Sequence, residues 1–341
     1  MSLINSLRVA LGKDGSTTAR MRAPKVRKVV FPVAGLGTRF LPVTKCVAKE
    51  MLPVVDRPLI QYAVDEACAA GAEELIFVTS RAKRMIEDHF DVAVELEAEL
   101  KRTGKTELLR QLRQATPPGV RFGFVRQHSP RGLGHAILQA RHFVGNEPFA
   151  VILPDDLIDA PRPALAQMLD QFEVTPASLV AVENVRRDET SRYGIVSAQA
   201  GDARVARMSG IVEKPAPKDA PSTLAVVGRY VLTPAIFDCL EAIDPGSGGE
   251  LQLTDAISLL LQREPVFSAR YSGDRYDCGE KSGYVRATLA YGLRHPDVGP
   301  GLRLALRGMN LESDRHPTTH TAAVAAGGSR DRHLALVSSS T

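Results

Sequence analysis

The chain has 341 residues, of which 44% are apolar, 24% charged and 5% aromatic, so fibrous, collagen-like and wholly disordered proteins are excluded. The formal net charge of +4 arises in residues 1–28, where seven basic residues against one acid give +6, whereas the other 313 residues sum to −2. The remaining chain is therefore nearly neutral, and its charge does not indicate a nucleic-acid partner.

The two ends of the chain differ in composition from the body. Residues 1–26 are predicted to form a flexible basic leader, and residues 310–341, rich in Ser, Thr, Ala and Gly without periodicity, a flexible tail. No apolar run reaches the roughly 18 residues that a membrane span requires, and the N-terminus lacks a signal-peptide pattern. We therefore expect a cytoplasmic protein without a membrane partner, folded over residues 27–309.

Strand and helix patterns alternate along the first half of this body. A β-branched run over 28–33 ends at a glycine-rich loop, and apolar residues over 59–68 then recur at helical spacing up to Gly71. Further strands are predicted at 75–79, 120–125, 149–153, 178–182 and 225–232, and helices near 134–142, 164–172 and 253–261. This order predicts a Rossmann-like α/β fold, with a mixed, mostly parallel sheet between helices and a β-rich portion from about residue 174.

The segment Gly35-Leu36-Gly37-Thr38-Arg39, here called the glycine loop, has the character of a phosphate-binding turn. It is neither a P-loop nor a complete G-x-G-x-x-G motif, because Phe40 stands at the last glycine position, and a dehydrogenase is therefore disfavoured. By itself the loop suits a packing turn as well as a ligand site. Arg39, Lys45 and Lys49 add positive charge beside it, which favours a polyphosphate ligand.

Three carboxylates are candidate magnesium ligands. Asp155 and Asp156 follow a predicted strand, and Asp277 precedes Cys278-Gly279. Mg²⁺ is usually held by one or two carboxylates together with phosphates and water. Helix caps or turns explain such aspartates equally well, so the residues alone leave both interpretations open.

Eight motifs follow one another along the chain: FPVAGLGTR at 31–39, KEMLPV at 49–54, PLIQY at 58–62, GLGHA at 132–136, EKP at 213–215, VGRY at 227–230, QLTDA at 252–256 and DCG at 277–279. In this order they closely resemble the family of bacterial UTP–glucose-1-phosphate uridylyltransferases, or UDP-glucose pyrophosphorylases, over about residues 27–295. The resemblance covers most of the chain and is far more specific than any single glycine loop.

The resemblance implies a reaction, a fold and an assembly. UTP and glucose 1-phosphate would give UDP-glucose and pyrophosphate by Mg²⁺-dependent in-line displacement, without a covalent enzyme intermediate. The domain over 27–309 would have the nucleotide-diphospho-sugar transferase fold, with a sugar-binding portion at roughly 174–280. The assembly would be a homodimer or a homotetramer.

The resemblance also implies residue roles. Catalysis is assigned to Arg39 and Lys49, and metal binding to Asp155 and Asp277, with Asp156 expected to point elsewhere. Nucleotide binding is assigned to Ala34, Gly35, Leu36, Gly37, Thr38, Glu50, Gln127 and Gly132. Among these, Gln127 and Gly132 match the family positions that contact the uracil. Sugar-phosphate binding is assigned to Gly194, Glu213, Lys214 and Gly228. The chain departs from the family at Ala48, where a proline is usual, and this predicts a looser loop before Lys49.

Two other functions remain open. One is a thymidylyltransferase, or another hexose-1-phosphate nucleotidyltransferase, on the same fold, because a few pocket contacts set base and sugar preference. The other is a non-catalytic regulatory paralogue, against which the retention of Arg39, Lys49, Asp155, Lys214 and Asp277 argues.

Overall fold

The structure is a computed structural model that describes residues 24–199 and 203–309. The predicted tail at 310–341 and the predicted leader up to residue 23 lie outside the described residues. Of the helices within the described ranges, none combines the length and apolar character that a bilayer crossing requires.

Thirteen strands occur in the described residues: β1 Lys28–Pro32, β2 Pro53–Val54, β3 Arg57–Pro58, β4 Glu74–Thr79, β5 Arg121–Arg126, β6 Phe149–Ile152, β7 Asp156–Asp159, β8 Ser178–Asn184, β9 Gly194–Ala198, β10 Val205–Glu213, β11 Leu224–Leu232, β12 Val266–Arg270 and β13 Asp274–Asp277.

The same residues contain eleven α-helices: α1 Leu59–Ala69, α2 Arg84–Phe90, α3 Val94–Arg102, α4 Thr106–Gln114, α5 Gly132–Gln139, α6 Arg141–Val144, α7 Ala164–Val174, α8 Ala235–Ala242, α9 Leu253–Leu260, α10 Lys281–Arg294 and α11 Gly299–Gly308.

Nine of the strands form one sheet in the order β5-β4-β1-β6-β11-β8-β12-β10-β9. The strands β5, β4, β1 and β6 are parallel to one another, as is the pair β8 and β12. The other four neighbouring pairs are antiparallel. The mixed α/β sheet is confirmed, but parallel pairs make up half of it rather than most, because hairpin-like returns such as β9 to β10 need no crossover helix.

The six predicted strands are all present, each within two residues of its predicted bounds. The helix predicted near 134–142 is two consecutive helices, α5 and α6. The prediction omitted α2, α3 and α4, which fill the connection between β4 and β5, and also α8, α10 and α11. The β-rich portion predicted from about residue 174 is confirmed by β8 to β11, and it continues through β12 and β13.

Both faces of the sheet are buried. On β1, Val30 packs into the cluster that α5, α8 and α9 complete, whereas Val29 and Phe31 pack into the cluster completed by α1, α2 and α7. Successive side chains of a strand point to opposite faces, so a strand covered on both sides is apolar throughout. This explains the β-branched run with which the predicted body begins.

Buried ion pairs tie the smaller elements to this sheet. Arg229 on β11, 1% exposed, makes two contacts of 3.0 and 2.7 Å with the Glu66 carboxylate on α1. Arg275 on β13 donates to Asp156 on β7 at 2.6 Å and to Glu183 on β8 at 2.6 Å. The two-stranded ribbon of β7 and β13 is thereby fixed against the main sheet.

Candidate active site

The parallel strands end together at one edge of the sheet. Beyond β1, Val33 N donates to Val78 O at 2.9 Å, and beyond β5, Gln127 N donates to Thr79 O at 2.8 Å. Asp155 follows β6, the other neighbour of β1. The glycine loop, Gln127 and Asp155 therefore meet at the carboxyl edge, where ligands of such sheets bind.

The glycine loop is a left-handed turn packed against Lys49. Gly37 has φ +68°, and a Cβ there would lie 3.3 Å from Lys49 Cβ. Thr44 Oγ1 donates to Gly37 O at 2.8 Å and holds the turn from its other side. Only a residue without a side chain suits both the angle and the space. Leu36 is consequently exposed at the tip of the loop.

Lys49 and Asp155 form a close ion pair, with 2.6 Å between Lys49 Nζ and Asp155 Oδ2. Burial alone would lower the pKa of Lys49, but the Asp155 and Glu50 carboxylates outweigh it and raise that pKa. Burial would likewise raise the pKa of Asp155, but the Lys49 ammonium holds it below its ordinary value. Both groups are therefore charged at neutral pH.

Asp155 and Asp277 face one point. Asp277 pairs with Asp156 across the ribbon, and Cys278 N donates to Asp155 O at 2.7 Å. A Cβ on Gly279 would lie 3.0 Å from Asp277 Oδ1 and 3.1 Å from Asp155 Oδ2. Two converging carboxylates fit a Mg²⁺ ion that takes its other ligands from phosphates and water. Within the described residues, no three His, Cys, Asp or Glu side chains are grouped to hold a metal by themselves.

Asp156, expected to point elsewhere, lines the same cleft as Asp155 and Asp277, but its carboxylate is engaged by other partners. Its Oδ2 accepts from Gly228 N at 2.7 Å and its Oδ1 from Arg275 Nε at 2.6 Å. Burial raises the pKa of Asp156, although Arg275 opposes the shift. A Cβ on Gly228 would lie 2.6 Å from Leu153 Cβ, so packing beneath the cleft itself requires this glycine.

A single cleft joins the carboxylates to the predicted sugar residues. Its lining includes Arg39, Asp155, Gly194, Glu213, Lys214, Gly228 and Asp277. Glu213 accepts from Thr254 Oγ1 at 3.0 Å and pairs with Lys214 Nζ at 3.0 Å. Lys214 has φ +43°, a strained backbone angle for a residue with a side chain, and such strain is concentrated at functional sites.

The structure also brings together Gln127 and Gly132, the two residues assigned to the uracil. Gln127 is 5% exposed, and its Nε2 donates to Gly132 O at 3.1 Å. Gly132 has φ +90°, and a Cβ there would lie 2.8 Å from Leu251 O. A side chain at this position would collide with the segment before α9, so the start of α5 requires a glycine.

Glu50 is placed beneath the cleft. Its side chain is 1% exposed and pairs with Lys83 at 2.7 Å. Burial raises the pKa of Glu50, with the Lys83 and Lys49 charges opposing the shift. Its position lets it support Lys49 from below, and direct contact with a nucleotide stays a prediction.

The sequence interpretation missed three groups that contact the predicted site. Arg192 Nη2 and Tyr193 Oη each lie 3.0 Å from Asp277 Oδ2, and both donate to it. Glu280 lies 3.5 Å from Arg192 and also 3.5 Å from Arg39. Arg192 and Tyr193 directly precede Gly194, a predicted site residue, and this proximity was the one signal in the sequence. Their partner, Asp277, lies far along the chain, so the contact itself could not be read from spacing.

Cys278, beside Asp277, does not act as a thiolate nucleophile. Burial, reinforced by the nearby Asp155 and Asp156 carboxylates, raises the pKa of its thiol to about 12. The thiol is therefore protonated at neutral pH. The charges of the cleft suit phosphate chemistry by positioning and electrostatic stabilisation.

An α/β sheet with a glycine loop at its carboxyl edge, opening into a cleft with two converging carboxylates, is typical of nucleotidyltransferases. Residues 28–292 match the family model described as nucleotidyl transferase, and the chain belongs to that family.

Its curated relatives include UTP–glucose-1-phosphate uridylyltransferases. The protein of that name from Streptococcus pneumoniae serotype 4 is 51% identical over 284 residues, which are 82% of this chain and 94% of that protein. A namesake from Streptococcus pyogenes is 48% identical over 301 residues, covering 86% of this chain and 98% of that protein. The predicted family is confirmed.

Solved structures agree with this assignment. A UTP-bound UGPase from Acinetobacter baumannii has a TM-score of 0.78 at 42% identity, covering 84% of this chain and 100% of that chain. A UDP-glucose pyrophosphorylase complexed with UDP-glucose has a TM-score of 0.73 at 44% identity, covering 80% of this chain and 100% of that chain. A putative glucose-1-phosphate thymidylyltransferase from Bacillus anthracis, 24% identical with a TM-score of 0.61, shares the fold alone.

Proposed function

We propose that this nucleotidyltransferase transfers the uridylyl group of UTP to glucose 1-phosphate, giving UDP-glucose and pyrophosphate. The observation that carries the proposal is the ion pair of Lys49 and Asp155. It faces Asp277 at the point where the glycine loop meets the cleft that Glu213 and Lys214 line. The names of the relatives, and the UTP and UDP-glucose bound to the solved neighbours, support the choice of substrates.

On the nucleotide side, the glycine loop would hold the triphosphate through its backbone N–H groups. The residues assigned here are Ala34, Gly35, Leu36, Gly37 and Thr38. Arg39 is largely exposed beside them, and a phosphate can displace its 3.5 Å pair with Glu280. Gln127 and Gly132 would contact the uracil, with Glu50 supporting the pocket from below.

On the sugar side, Glu213 would accept hydrogen bonds from glucose hydroxyls, and Lys214 would pair with the sugar phosphate. The present pair between these side chains is half-exposed on the lysine side, so a phosphate can compete for the lysine. Gly194 and Gly228 line the same cleft.

The reaction requires charge and alignment rather than a base. An oxygen of glucose 1-phosphate, already anionic, attacks the α-phosphorus of UTP, and the bond from that phosphorus to pyrophosphate breaks. Asp155 and Asp277 would hold Mg²⁺, which supplies positive charge to the phosphate oxygens. Lys49 and Arg39 would stabilise the negative charge that develops in the transition state.

We also propose a cytoplasmic homodimer or homotetramer. All four cysteines are free thiols, as is usual for proteins of a reducing compartment. Leu41, Val43 and Val285 are exposed and line one shallow apolar hollow, and this patch supports self-association. Light scattering of the purified protein tests the assembly, and a monomer at micromolar concentration would overturn it.

The activity is tested by pyrophosphate release from the full chain with Mg²⁺. UTP with glucose 1-phosphate should give the highest kcat/KM, with UDP-glucose identified by mass. Equal or greater turnover with dTTP would establish the thymidylyl alternative. A preference for galactose 1-phosphate would establish that the enzyme uses another sugar phosphate. An absence of turnover with every pair would favour the non-catalytic paralogue.

Asp277→Asn separates catalysis from folding. The substitution keeps the size of the side chain but removes a metal-binding charge, so turnover should fall more than about 100-fold. Asp274→Asn, an exposed position on the same strand, is the matched control and should keep full activity. Thermal unfolding of both variants checks the fold. Retained turnover in Asp277→Asn would remove Asp277 from the proposed metal site.

A further inference from the structure

A histidine outside the proposed chemistry contacts the residue assigned to the uracil. His135, one turn into α5, places its Nδ1 2.8 Å from Gln127 Nε2. Its Nε2 lies 3.3 Å from Gln139 Nε2, one turn further along the same helix. A neutral imidazole accepts at only one ring nitrogen, so when Nδ1 accepts from Gln127, Nε2 carries the ring proton and does not accept from Gln139. His135 thus stands behind Gln127 and does not itself line the sugar cleft.

Two acceptors determine which way the Gln127 amide points. Gly132 O is a backbone carbonyl and only accepts, so the group 3.1 Å from it must be the amide nitrogen of Gln127. The second N–H of that amide is directed at His135 Nδ1, which accepts only when Nδ1 carries no proton. With both N–H groups engaged, the amide is left with its Oε1 for a ligand.

We propose that His135 is a positioning residue for base selection: by accepting from Gln127 Nε2, it keeps Gln127 Oε1 turned toward the base, where Oε1 accepts the N3–H of uracil. The inference rests on the proposed function, because it takes UTP as the substrate and states which part of the uracil Gln127 and His135 recognise.

The consequence for selectivity is specific. Uracil carries a proton on N3, whereas cytosine presents a lone pair there, which would face the Oε1 lone pairs without a hydrogen. CTP would bind only if the amide turned over and gave up both of its acceptors. Thymine has the same N3–H as uracil, so this pair excludes CTP but does not separate UTP from dTTP.

The arrangement also depends on a neutral imidazole. Burial, together with the positive charge of Arg131 just before α5, lowers the pKa of His135 from its ordinary value of 6.5. Glu250 is the acidic neighbour, against Gly132, while α8 and α9 contribute apolar residues to the core that they share with α5. At pH 7.5 the histidine is neutral; as the pH falls through its pKa, Nδ1 gains a proton and stops accepting.

Two variants of the full-length enzyme test the proposal. His135→Leu removes the acceptor, whereas His135→Asn places an amide oxygen near the position of Nδ1 and does not titrate. At pH 7.5, His135→Leu should raise KM for UTP about three- to tenfold, the effect of one lost hydrogen bond, and should raise the CTP-to-UTP ratio of kcat/KM similarly. Its kcat should stay within about twofold, because His135 does not touch the reacting groups. His135→Asn should restore both values.

The pH profile distinguishes positioning from packing. For the wild type, KM for UTP should rise as the pH falls below the ordinary histidine pKa of 6.5. The rise should be smaller in His135→Asn, which keeps only the part caused by protonation of the triphosphate itself. An unchanged CTP-to-UTP ratio in His135→Leu, or the same pH profile in His135→Asn, would overturn the inference while UTP turnover by the wild type still upheld the proposed function. A wild type that fails to prefer UTP over CTP would contradict both.

Discussion

Charged side chains form two layers in this protein, one buried and one in the cleft. The buried layer consists of the pairs that Arg229, Arg275 and Lys83 make with carboxylates, and the side chains of these cations are at most 7% exposed. In the cleft layer, Arg39 is 63% exposed and Arg192 39% exposed, and each shares the carboxylate of Glu280 at 3.5 Å. The three buried cations lie within 2.7 Å of a carboxylate oxygen. The two cleft arginines share Glu280 at 3.5 Å, and Arg192 also contacts Asp277 at 3.0 Å.

The difference corresponds to two functions of charge. A buried pair that loses one partner leaves an unpaired ion in a poorly solvated place, so its geometry is strongly held. An exposed pair contributes little to stability, about 0–1 kcal/mol, so a phosphate can displace it. The buried layer therefore sets the shape of the site, and the cleft layer is available for exchange with ligands.

Arg229→Met should have the largest effect on stability. It leaves Glu66 buried without its partner, which costs about 3–5 kcal/mol, and Tm should fall by about 6–20 °C for a domain of this size. Arg162→Met, which removes an exposed pair with Asp170, is the control and should leave Tm almost unchanged. Equal shifts in the two variants would remove the distinction between the layers.

Arg192→Ala should act on substrate binding instead. Its loss removes a cation at Asp277 in the cleft, and we expect KM for glucose 1-phosphate to rise about tenfold, as for a lost charge-assisted hydrogen bond. Tm should stay close to that of the wild type, since Tyr193 still donates to Asp277. Arg186→Ala, whose side chain pairs with exposed Asp188, is the matched control. A fall in Tm without a change in KM would show that Arg192 contributes to stability, as the buried layer does, and not to substrate binding.

Ala48→Pro should have the smallest effect. Ala48 has φ −61°, which proline also adopts, and its N–H reaches only the weakly accepting Met85 Sδ, at 3.0 Å. The substitution should stabilise the protein by about 0.4–1 kcal/mol by restricting the unfolded chain, without lowering kcat. Thermal unfolding and steady-state kinetics measure both effects. A loss of kcat would mean that the segment before Lys49 must move during the reaction.

The fold was most predictable where burial is complete. The strand β1 is apolar on both faces, and its pattern located it within one residue. The helix α4 was missed although Leu108, Leu109 and Leu112 recur on it at helical spacing. The prediction did not use that periodicity. None of the residues of α4 is buried, and charged pairs such as Arg110 with Glu107 lie on its exposed face, so the helix does not belong to the buried core that the apolar patterns located.

The candidate site was predictable only in part. Motifs pointed to Lys49 and Asp277, and the end of a predicted strand pointed to Asp155; the structure brings these three together. The donation from Arg192 and Tyr193 to Asp277 was not predictable, because it depends on how β9 and β13 lie in space and not on spacing in the chain. The binding roles assigned from the resemblance stay predictions until they are measured.

The ribbon of β7 and β13 has a consequence for the newly made chain. Its strands lie far apart in the sequence, and Asp155 meets Asp277 only once they pair. During synthesis, which runs from the N-terminus, the glycine loop and Lys49 emerge long before Asp277. A ribosome-bound chain that ends before β13 therefore holds the glycine loop and Lys49 without the second carboxylate, so the nascent protein acquires its complete charge pattern only after β13 has been made.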